Sequence, residues 1–425
     1  EIAEKEVNKY IDDVISQKFK LSKGPLADIK LLEISRGEII LLIVMHHIIS
    51  DGWSVGVLFE EMSSLYNSYI KGEEPNISDI EVQYTDYSIW QRGWLQGEVL
   101  ERQLEYWKAR LSGIPDMLEL PTDKNRPREL TYEGDSYYFS LDKSTSKKLK
   151  DICDREGISL FMLLLGVFKV LLYKYSNQND VVVGSPIANR SYKEIEPIIG
   201  FFVNTLVLRS YVDSRESFSK LLEQIKKITL EGYEHQDIPF EQLVDYLKIE
   251  RSINKNPVFQ VMFVLQNAVN DDYQFQDIER EHLTLPYNVS KFDLLLEAFE
   301  SRDEIRFRIE YSKDLYNEQT VIRMSEHYRN IVSAIVNNLH VEIGKIDILT
   351  KEEKSQILEG WNATAREYER GKGIHELFEE QANINPDKIA AVYRDQQITY
   401  EELNKRSNQL GHYLKRCGVG PDVLV

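Results

Sequence analysis

The chain has 425 residues, of which 42 % are hydrophobic and 29 % charged, a composition typical of folded proteins with enough apolar material for a core. Its formal net charge of −18 argues against nucleic acid as a partner, because phosphate binding requires a basic surface. Two cysteines far apart in the sequence fit a reducing compartment, and we expect a cytoplasmic protein. The longest apolar stretch, residues 160–173, contains Lys169 and is too short to cross a bilayer, so no membrane association is expected.

The first informative segment is MHHIISDGWS, which follows the aliphatic run EIILLIVM. That run is short and rich in β-branched residues, which predicts a buried strand. After the segment, apolar residues recur at helical spacing, which predicts an amphipathic helix with Ser54 as its N-cap. We therefore expect His46, His47, Asp51 and Gly52 in a loop between a strand and a helix.

Three interpretations of this loop compete. A metal site is disfavoured, because Gly52 and the preceding strand argue against the helix on which His47 and Asp51 would share a face. A structural role, with the ring bonded to backbone, is favoured for His46. Acid–base chemistry suits position 47, because histidine as a residue type can exchange a proton near neutral pH, while Asp51 can fix the loop by pairing with an arginine. Gly52 allows close backbone approach, and its amide near a helix N-terminus can polarise a substrate oxygen. The spacing HHxxxDG therefore suits acyl transfer to an amine or a hydroxyl.

Beyond this motif the sequence predicts mixed strands and helices. A strand is expected at residues 137–141, then a helix with Ser144 or Thr145 as its N-cap, and an apolar helix after Ser159. VVVGSP, PVFQVMFVLQN and EIRFRIEYS predict further strands, and EQTVIRMSEHYRNIVSAIVNNL predicts a long amphipathic helix. Because strands and helices do not alternate strictly, we expect a layered α/β (α+β) fold.

The character of the sequence changes near residue 348. The stretch that follows is polar and charged and has no long apolar face, which predicts a linker. Beyond the linker the sequence predicts a helix, a strand and a second helix. Thr399 followed by Glu402 forms a capping-box pattern at the start of that second helix.

Several motifs together resemble the condensation domains of nonribosomal peptide synthetases. MHHIISDGWS resembles the signature of that family, and YTDYSIW is similar to its next block. IGFFVNTLVLR, HQDIPFEQL and RSINKNPVFQVMFVLQN follow in the family's order, and GSPIANR and SKFDL also fit. The segments IHELFEEQANINPDKIAAVY and ITYEELNKRSNQLGHYLKRCGVGPDVLV resemble the start of an adenylation domain.

This resemblance implies a domain order and a fold. Residues 1–125 are expected to form an incomplete N-terminal lobe and residues 126–348 the C-terminal lobe of a condensation domain. Residues 349–371 are expected to be the linker, and residues 372–425 the beginning of an adenylation domain. The resemblance implies two lobes, each like chloramphenicol acetyltransferase, set in a V with a tunnel between them.

The resemblance also implies partners. Upstream and downstream peptidyl carrier domains would present a donor and an acceptor thioester on 4′-phosphopantetheine arms, beside a covalently linked adenylation domain. No cofactor or metal would be bound directly by the condensation domain, and ATP would be needed only by a full adenylation domain. The acceptor amine would attack the donor thioester carbonyl and form a peptide bond.

Site residues follow from the same resemblance. His47 would accept the proton of the amine or orient the amine, Gly52 N–H would contact the oxyanion, and Asp51 and His46 would complete the motif. The residues expected to line the tunnel or to support the site are Trp53, Asn204, Thr205, Arg209, Gln236 and Asp237.

Departures from the family pattern leave alternatives open. Two motifs that the family places earlier, one with an Arg-His-Glu pattern, do not occur here, and one of them is thought to supply the arginine that pairs with the motif aspartate. Asp51 is therefore expected to lack its usual partner, with Arg209 as a fallback. The alternatives are a non-catalytic carrier-docking platform and an epimerization-type relative. Trp53 directly after Gly52, and the adenylation start that follows, favour condensation, and the WSVGVLFEE context favours an L-configured donor.

Overall fold

The computed structural model describes every residue except 1, 76, 78, 249–251, 267–272, 282, 284–287, 302–303 and 368–370, and leaves out the side chains of residues 1–6 and 8. It divides into two compact units, Glu1–Thr350 and Lys351–Val425. Within the described part, no single helix is long and apolar enough to span a membrane, although Lys143–Glu156 and Leu160–Ser176, bent by 110°, pass that test as a pair.

The first unit begins with a helix packed on a two-stranded sheet. These elements are α1 (Ile2–Ile15), β1 (Ala27–Ser35) and β2 (Glu38–Met45), and the two strands are antiparallel. The predicted strand β2 is confirmed, but it is not buried on both faces. Leu42 faces α1 and is buried, whereas Ile39 is 61 % exposed. Ile39 is exposed because the described sheet has only two strands and is covered by a helix on one face only.

Three helices follow the motif. They are α2 (Gly52–Lys71), α3 (Tyr84–Trp94) and α4 (Gly97–Leu111). A short 3₁₀ turn, His47–Ile49, connects β2 to this helical region. The predicted order of strand, motif loop and amphipathic helix is therefore confirmed.

The remainder of the first unit is built on a six-stranded mixed sheet. Its strands are β3 (Gly134–Leu141), β4 (Asp180–Ile187), β5 (Asn204–Tyr211), β6 (Val261–Gln266), β7 (Leu294–Glu300) and β8 (Ile305–Ser312). The spatial order is β3-β8-β7-β6-β4-β5, with β6 parallel to both of its neighbours and the other pairs antiparallel. The described helices of this part are α5 (Lys143–Glu156), α6 (Leu160–Ser176), α7 (Phe218–Glu234), α8 (Phe240–Leu247) and α9 (Glu318–Asn337). The predicted layered α/β class is confirmed.

Helix α6 lies at the centre of the main core. Each residue from Met162 to Leu172 is buried, and Ser159 caps the helix by accepting a hydrogen bond from Met162 N. The predicted N-cap of α5 was wrong. Asp142, rather than Ser144 or Thr145, is the N-cap and accepts from Thr145 N at 2.9 Å. The helix starts earlier than predicted because the Asp142 carboxylate reaches an amide that would otherwise have no acceptor.

The second unit contains the predicted helix, strand and second helix. Its elements are α10 (Lys351–Ser355), α11 (Ile374–Ile384), β9 (Ile389–Tyr393), β10 (Gln396–Thr399) and α12 (Tyr400–Arg416). Thr399 caps α12 by accepting from Glu402 N at 3.3 Å, which is one half of the predicted capping box, while Glu402 Oε1 accepts from Arg406 Nε at 2.7 Å. The bounds expected for the two lobes and the linker remain a prediction.

Lys169 is the charged residue that α6 places in the core. Its side chain is fully buried, and Nζ donates to Val181 O at 3.1 Å and to Leu208 O at 2.6 Å. Burial, more than the nearby Arg110, lowers the pKa of Lys169 well below 10.5, against the opposing effect of Asp180.

This depressed pKa predicts a pH-dependent stability. Below pH 10.5 the unfolded chain protonates Lys169 while the folded chain resists it, so folding loses stability as the pH falls. Compared with Lys169→Met, the native protein should therefore gain melting temperature as the pH rises from neutrality towards 10.5. Thermal unfolding of both proteins at several pH values measures this difference. Lys147→Met, an exposed change on α5, is the control and should show no such trend. A pH-independent gap between the native protein and Lys169→Met would contradict the assignment.

Candidate active site

The two histidines of the motif make different backbone contacts. His46 Nδ1 accepts a hydrogen bond from Ile48 N at 3.1 Å, so this ring caps the 3₁₀ turn, in line with the structural interpretation. His47 Nδ1 lies 2.7 Å from Ser50 O. Because a carbonyl oxygen only accepts, Nδ1 of His47 must carry the proton, and in the neutral ring Nε2 is left with its lone pair. His47 is exposed, and its ring meets Phe201 edge to face with centroids 5.2 Å apart.

Asp51, and not Ser54, is the N-cap of α2. Its Oδ1 accepts from Ser54 N at 2.8 Å, and the helix begins at Gly52. The prediction that Ser54 is the N-cap was wrong because Gly52 and Trp53, which precede it, are already part of the helix. The first free amides of the helix therefore point back to Asp51. Asp51 is only 4 % exposed, so its carboxylate interacts with groups of the protein and not with solvent.

The partner of Asp51 is Arg190. Arg190 Nη2 lies 3.2 Å from Asp51 Oδ1 and 2.9 Å from Ser54 Oγ, and both members of the ion pair are almost completely buried. Phe202 N donates to Asp51 Oδ2 at 3.0 Å. Arg190 therefore takes the place of the usual arginine partner, and the prediction of Arg209 as the fallback is wrong. Arg209, the fallback, instead forms an ion pair with Asp180 at 2.7 Å.

Backbone carbonyls hold the guanidinium of Arg190 in place. Nη1 donates to Ile195 O at 2.6 Å and to Ile198 O at 2.7 Å, and Cζ lies 4.1 Å from the centre of the Phe202 ring. Burial lowers the pKa of Arg190 below its ordinary value, while the nearby Asp51 opposes that shift. The planar guanidinium presents five N–H donors in a fixed fork, whereas the three donors of a lysine all sit on one nitrogen atom. The arginine thus joins the motif to residues 195–202.

Helix α3 supports that segment with aromatic side chains. Tyr84 OH donates to Phe201 O at 2.8 Å, and the Tyr84 ring fills the space beside Gly200. The Ser54 hydroxyl lies 2.9 Å from Gly200 O and accepts from Gly200 N at 3.1 Å. The motif YTDYSIW, whose role the sequence did not show, therefore braces the segment that binds Asp51.

In the described structure, Trp53 and Arg209 both form hydrogen bonds with other residues of the chain. Trp53 Nε1 donates to Glu196 O at 2.9 Å, which adds a further link between α2 and the segment after Arg190. Arg209 hydrogen bonds to Ser112 O as well as to Asp180, and Asp180 raises the pKa of Arg209.

Asn204 connects β5 to the loop that precedes α8. Its Nδ2 donates to Gln236 O at 2.7 Å and to Ile238 O at 2.8 Å, and its Oδ1 accepts from Phe240 N at 3.0 Å. Oδ1 also accepts from Thr205 N at 2.8 Å. All polar atoms of the Asn204 side chain are therefore engaged in ordering this loop.

Asp237 lies on the same loop and contacts α4. Gln103 Nε2 donates to Asp237 Oδ2 at 2.8 Å. Burial raises the pKa of Asp237 above its ordinary value, while Arg102 and His235 oppose that shift. The loop is thus attached to β5 through Asn204 and to α4 through Asp237.

Gly52 begins α2, and its surroundings differ from those of the other motif residues. The residue is exposed, and a Cβ built on it would meet no atom within 4 Å. Packing in the described protein therefore does not require glycine at this position. The open space beside its backbone leaves room for a ligand to approach the amide at the start of the helix.

No metal centre is found among the described residues. They contain no group of three or more His, Cys, Asp or Glu side chains that could hold a metal ion. Asp51 is bonded to Arg190, Ser54 and Phe202, which accounts for its oxygens without an ion.

Comparison with known proteins assigns the family. The family model described as a condensation domain matches residues 1–358. The chain belongs to this condensation-domain family. A second model, described as an AMP-binding enzyme, matches residues 378–425. The predicted order, a condensation domain followed by the start of an adenylation domain, is therefore confirmed.

The relatives are peptide synthetases. One component of the linear gramicidin synthase of Brevibacillus parabrevis is 41 % identical over 424 residues, which are 99 % of this chain and 8 % of that protein. Another component of the same synthase is 43 % identical over 413 residues, 96 % of this chain and 8 % of that protein. The condensation domain is thus of the nonribosomal peptide synthetase type, and the chain spans about 8 % of the length of these relatives.

Solved structures share the fold. A four-domain nonribosomal peptide synthetase bound to AMP and glycine aligns with a TM-score of 0.80 at 23 % identity, over 98 % of this chain and 32 % of that one. The first condensation domain of the calcium-dependent antibiotic synthetase, in complex with a substrate analogue, aligns with a TM-score of 0.68 at 17 % identity, over 82 % and 76 % of the two chains. The predicted condensation-domain fold is therefore confirmed.

The buried ion pair predicts a large loss of stability when one partner is removed. Arg190→Met leaves Asp51 as an uncompensated buried charge, which typically costs roughly 3–5 kcal/mol. We expect a correspondingly lower free energy of unfolding in denaturant titrations. Arg215→Met is the matched control, because Arg215 pairs with Asp213 through a side chain that is 86 % exposed. Equal stability of the two variants would contradict a central role for Arg190.

Gly200 tests the aromatic brace. In Gly200→Ala, the new Cβ would lie 2.3 Å from a Tyr84 ring carbon, an overpacking expected to cost about 1–3 kcal/mol of stability. In a Tyr84→Ala background, where the clashing ring is absent, Gly200→Ala should cost less stability than it does in the native protein, so that the two changes are not additive. Gly93→Ala on α3 meets open space and should be neutral or slightly stabilising. Strict additivity of the Gly200 and Tyr84 changes would show that the two residues do not interact.

Proposed function

We propose that the first unit forms an amide bond between a donor acyl thioester and the amine of an acceptor aminoacyl thioester. One observation carries this proposal: Ser50 O holds the exposed His47 in the tautomer whose Nε2 can accept a proton. The family membership and the peptide synthetases among the relatives support the class of reaction. Acyltransferase chemistry of the peptide-bond-forming type is what the family implies.

The proposed step begins with attack of the neutral acceptor amine on the donor thioester carbonyl. A C–N bond forms, and the amine proton passes to His47 Nε2. The positive charge of the resulting imidazolium is stabilised by the Nδ1–H bond to Ser50 O. Collapse of the tetrahedral intermediate breaks the C–S bond, and the proton then passes from Nε2 to the leaving sulfur.

Gly52 and Asp51 would act in different ways. The developing oxyanion would receive a hydrogen bond from Gly52 N–H at the N-terminus of α2, where the helix dipole adds to the effect. Asp51 would not touch substrate, because its oxygens are bonded to Ser54, Phe202 and Arg190. Asp51 and Arg190 are therefore proposed as positioning residues for the loop.

The partners are part of the proposal. We expect peptidyl carrier domains to bring the donor and the acceptor as thioesters on 4′-phosphopantetheine arms. The condensation domain itself would then need no bound cofactor. The AMP-binding match at residues 378–425 supports an adenylation domain linked in the same polypeptide. Much of the acceleration would come from holding the two thioesters together, an effect worth up to about 7–11 kcal/mol in favourable cases.

A test of this function compares the two neighbouring histidines. In the longest native polypeptide that contains this chain, His47→Ala should lower the rate of amide formation by at least about a hundredfold, since it removes the proton acceptor. His46→Ala should keep most of the activity, because His46 only caps the 3₁₀ turn. Mass spectrometry of the product formed from alanyl and phenylalanyl thioesters of pantetheine measures both rates. Near-native product formation by His47→Ala would refute the proposal.

A further inference from the structure

Phe201 contacts the imidazole of His47 directly. The two rings meet edge to face, with centroids 5.2 Å apart and planes inclined at 85°. This arrangement is one of the favourable geometries for a pair of aromatic rings. Phe201 is half-buried whereas His47 is exposed, so the phenyl ring is the better packed member of the pair.

The backbone around Phe201 is fixed at three consecutive residues. The amides on either side of Phe201 donate to side chains at the start of α2, one to Ser54 Oγ at 3.1 Å and the other to Asp51 Oδ2 at 3.0 Å. The carbonyl of Phe201 itself accepts from the Tyr84 hydroxyl at 2.8 Å. These three bonds fix the point at which the Phe201 side chain leaves the backbone, relative to the motif.

The hydrogen bond to Ser50 restrains the imidazole of His47 at one atom. That atom is Nδ1, which lies 2.7 Å from Ser50 O. The χ2 torsion of histidine has broad minima, so an exposed imidazole held at one atom can still pivot. A pivot changes the direction of the Nε2 lone pair, which lies in the plane of the ring. The phenyl ring of Phe201 supplies a second contact, which opposes this motion.

We propose that Phe201 is a positioning residue for His47, which keeps the imidazole in the orientation that its bond to Ser50 O requires. This inference rests on the proposed function and adds the residue through which the network around Asp51 reaches the proton acceptor. Phe201 exchanges no proton and only restrains the group that does. A misplacement of about 1 Å at a reacting group can cost about a hundredfold in rate, so this restraint has a measurable effect.

The first measurement is the nitrogen spectrum of His47, which does not depend on activity. It is recorded at alkaline pH, where imidazole rings are neutral. In Phe201→Ala the ¹⁵N shifts of Nδ1 and Nε2 should move towards each other, because the freed ring exchanges between its two tautomers. Phe201→Tyr keeps the aromatic ring and should retain the shifts of the native protein.

Two further variants complete this measurement. Phe201→Leu keeps much of the apolar volume without the ring, so it should stay folded and change the shifts in the same direction as Phe201→Ala. Phe299→Ala, an exposed change on β7, is the matched control and should leave the shifts of His47 unchanged. Unchanged shifts in both Phe201→Ala and Phe201→Leu would overturn the inference.

The second measurement is the rate of amide formation in the longest native polypeptide that contains the chain, with pantetheine thioesters as substrates. Phe201→Ala should lower kcat at least about tenfold and leave KM nearly unchanged, because the substrate still binds while the proton acceptor is misplaced. Phe201→Tyr should restore kcat to near the native value. A raised KM with an unchanged kcat would mean that Phe201 binds substrate instead, and would overturn the inference.

The fate of His47→Ala separates this inference from the proposed function. If His47→Ala is inactive while Phe201→Ala has the shifts and the kcat of the native protein, the inference fails and the proposed function stands. Near-native product from His47→Ala would refute the function alone, since the nitrogen shifts test the orientation of the ring without reference to activity.

Discussion

The buried pair of Asp51 and Arg190 is the constraint on which the site depends. The two residues are 139 positions apart in the sequence, and their charges lie where water does not reach. Removing either charge would leave the other without compensation, so the segment after β4 and the start of α2 must stay together. Because Asp51 also caps α2, the same carboxylate fixes the helix whose first residue is Gly52. The position of His47 follows from this arrangement, since only three residues separate it from Asp51.

Local patterns predicted much of this arrangement from the sequence. The aliphatic run before the motif correctly predicted strand β2, and the helical spacing after it correctly predicted helix α2. Both signals depend only on residues that are neighbours in the sequence. The contact of His46 with the backbone agrees with its structural interpretation, whereas the acid–base role of the exposed His47 stays a prediction. The family resemblance predicted the order of the two domains, which the family models confirm. These successes concern features that lie within short stretches of the chain.

Long-range contacts could not be predicted in the same way. GSPIANR was recognised as a motif, but nothing local to Arg190 shows that its guanidinium reaches Asp51, so Arg209 stood as the fallback. The requirement for glycine at position 200 depends on the Tyr84 ring, which comes from a distant helix. Ser54 was predicted as the N-cap because serine commonly caps helices, and only the start of the helix at Gly52 shows that Asp51 takes this role. In each case, either the residue that makes the contact is distant in the sequence, or the helix begins a few residues away from the predicted start.

The central claim is that His47 presents an unprotonated Nε2 to solvent because Nδ1–H is bonded to Ser50 O. The most direct test is a long-range ¹H–¹⁵N correlation spectrum of the ¹⁵N-labelled protein at alkaline pH, where imidazole rings are neutral. His47→Gln assigns the resonances among the eight histidines. The account predicts ¹⁵N shifts of a protonated Nδ1 and an unprotonated Nε2 for His47. A neutral ring with its proton on Nε2 would contradict the account, since no lone pair would then face an incoming amine.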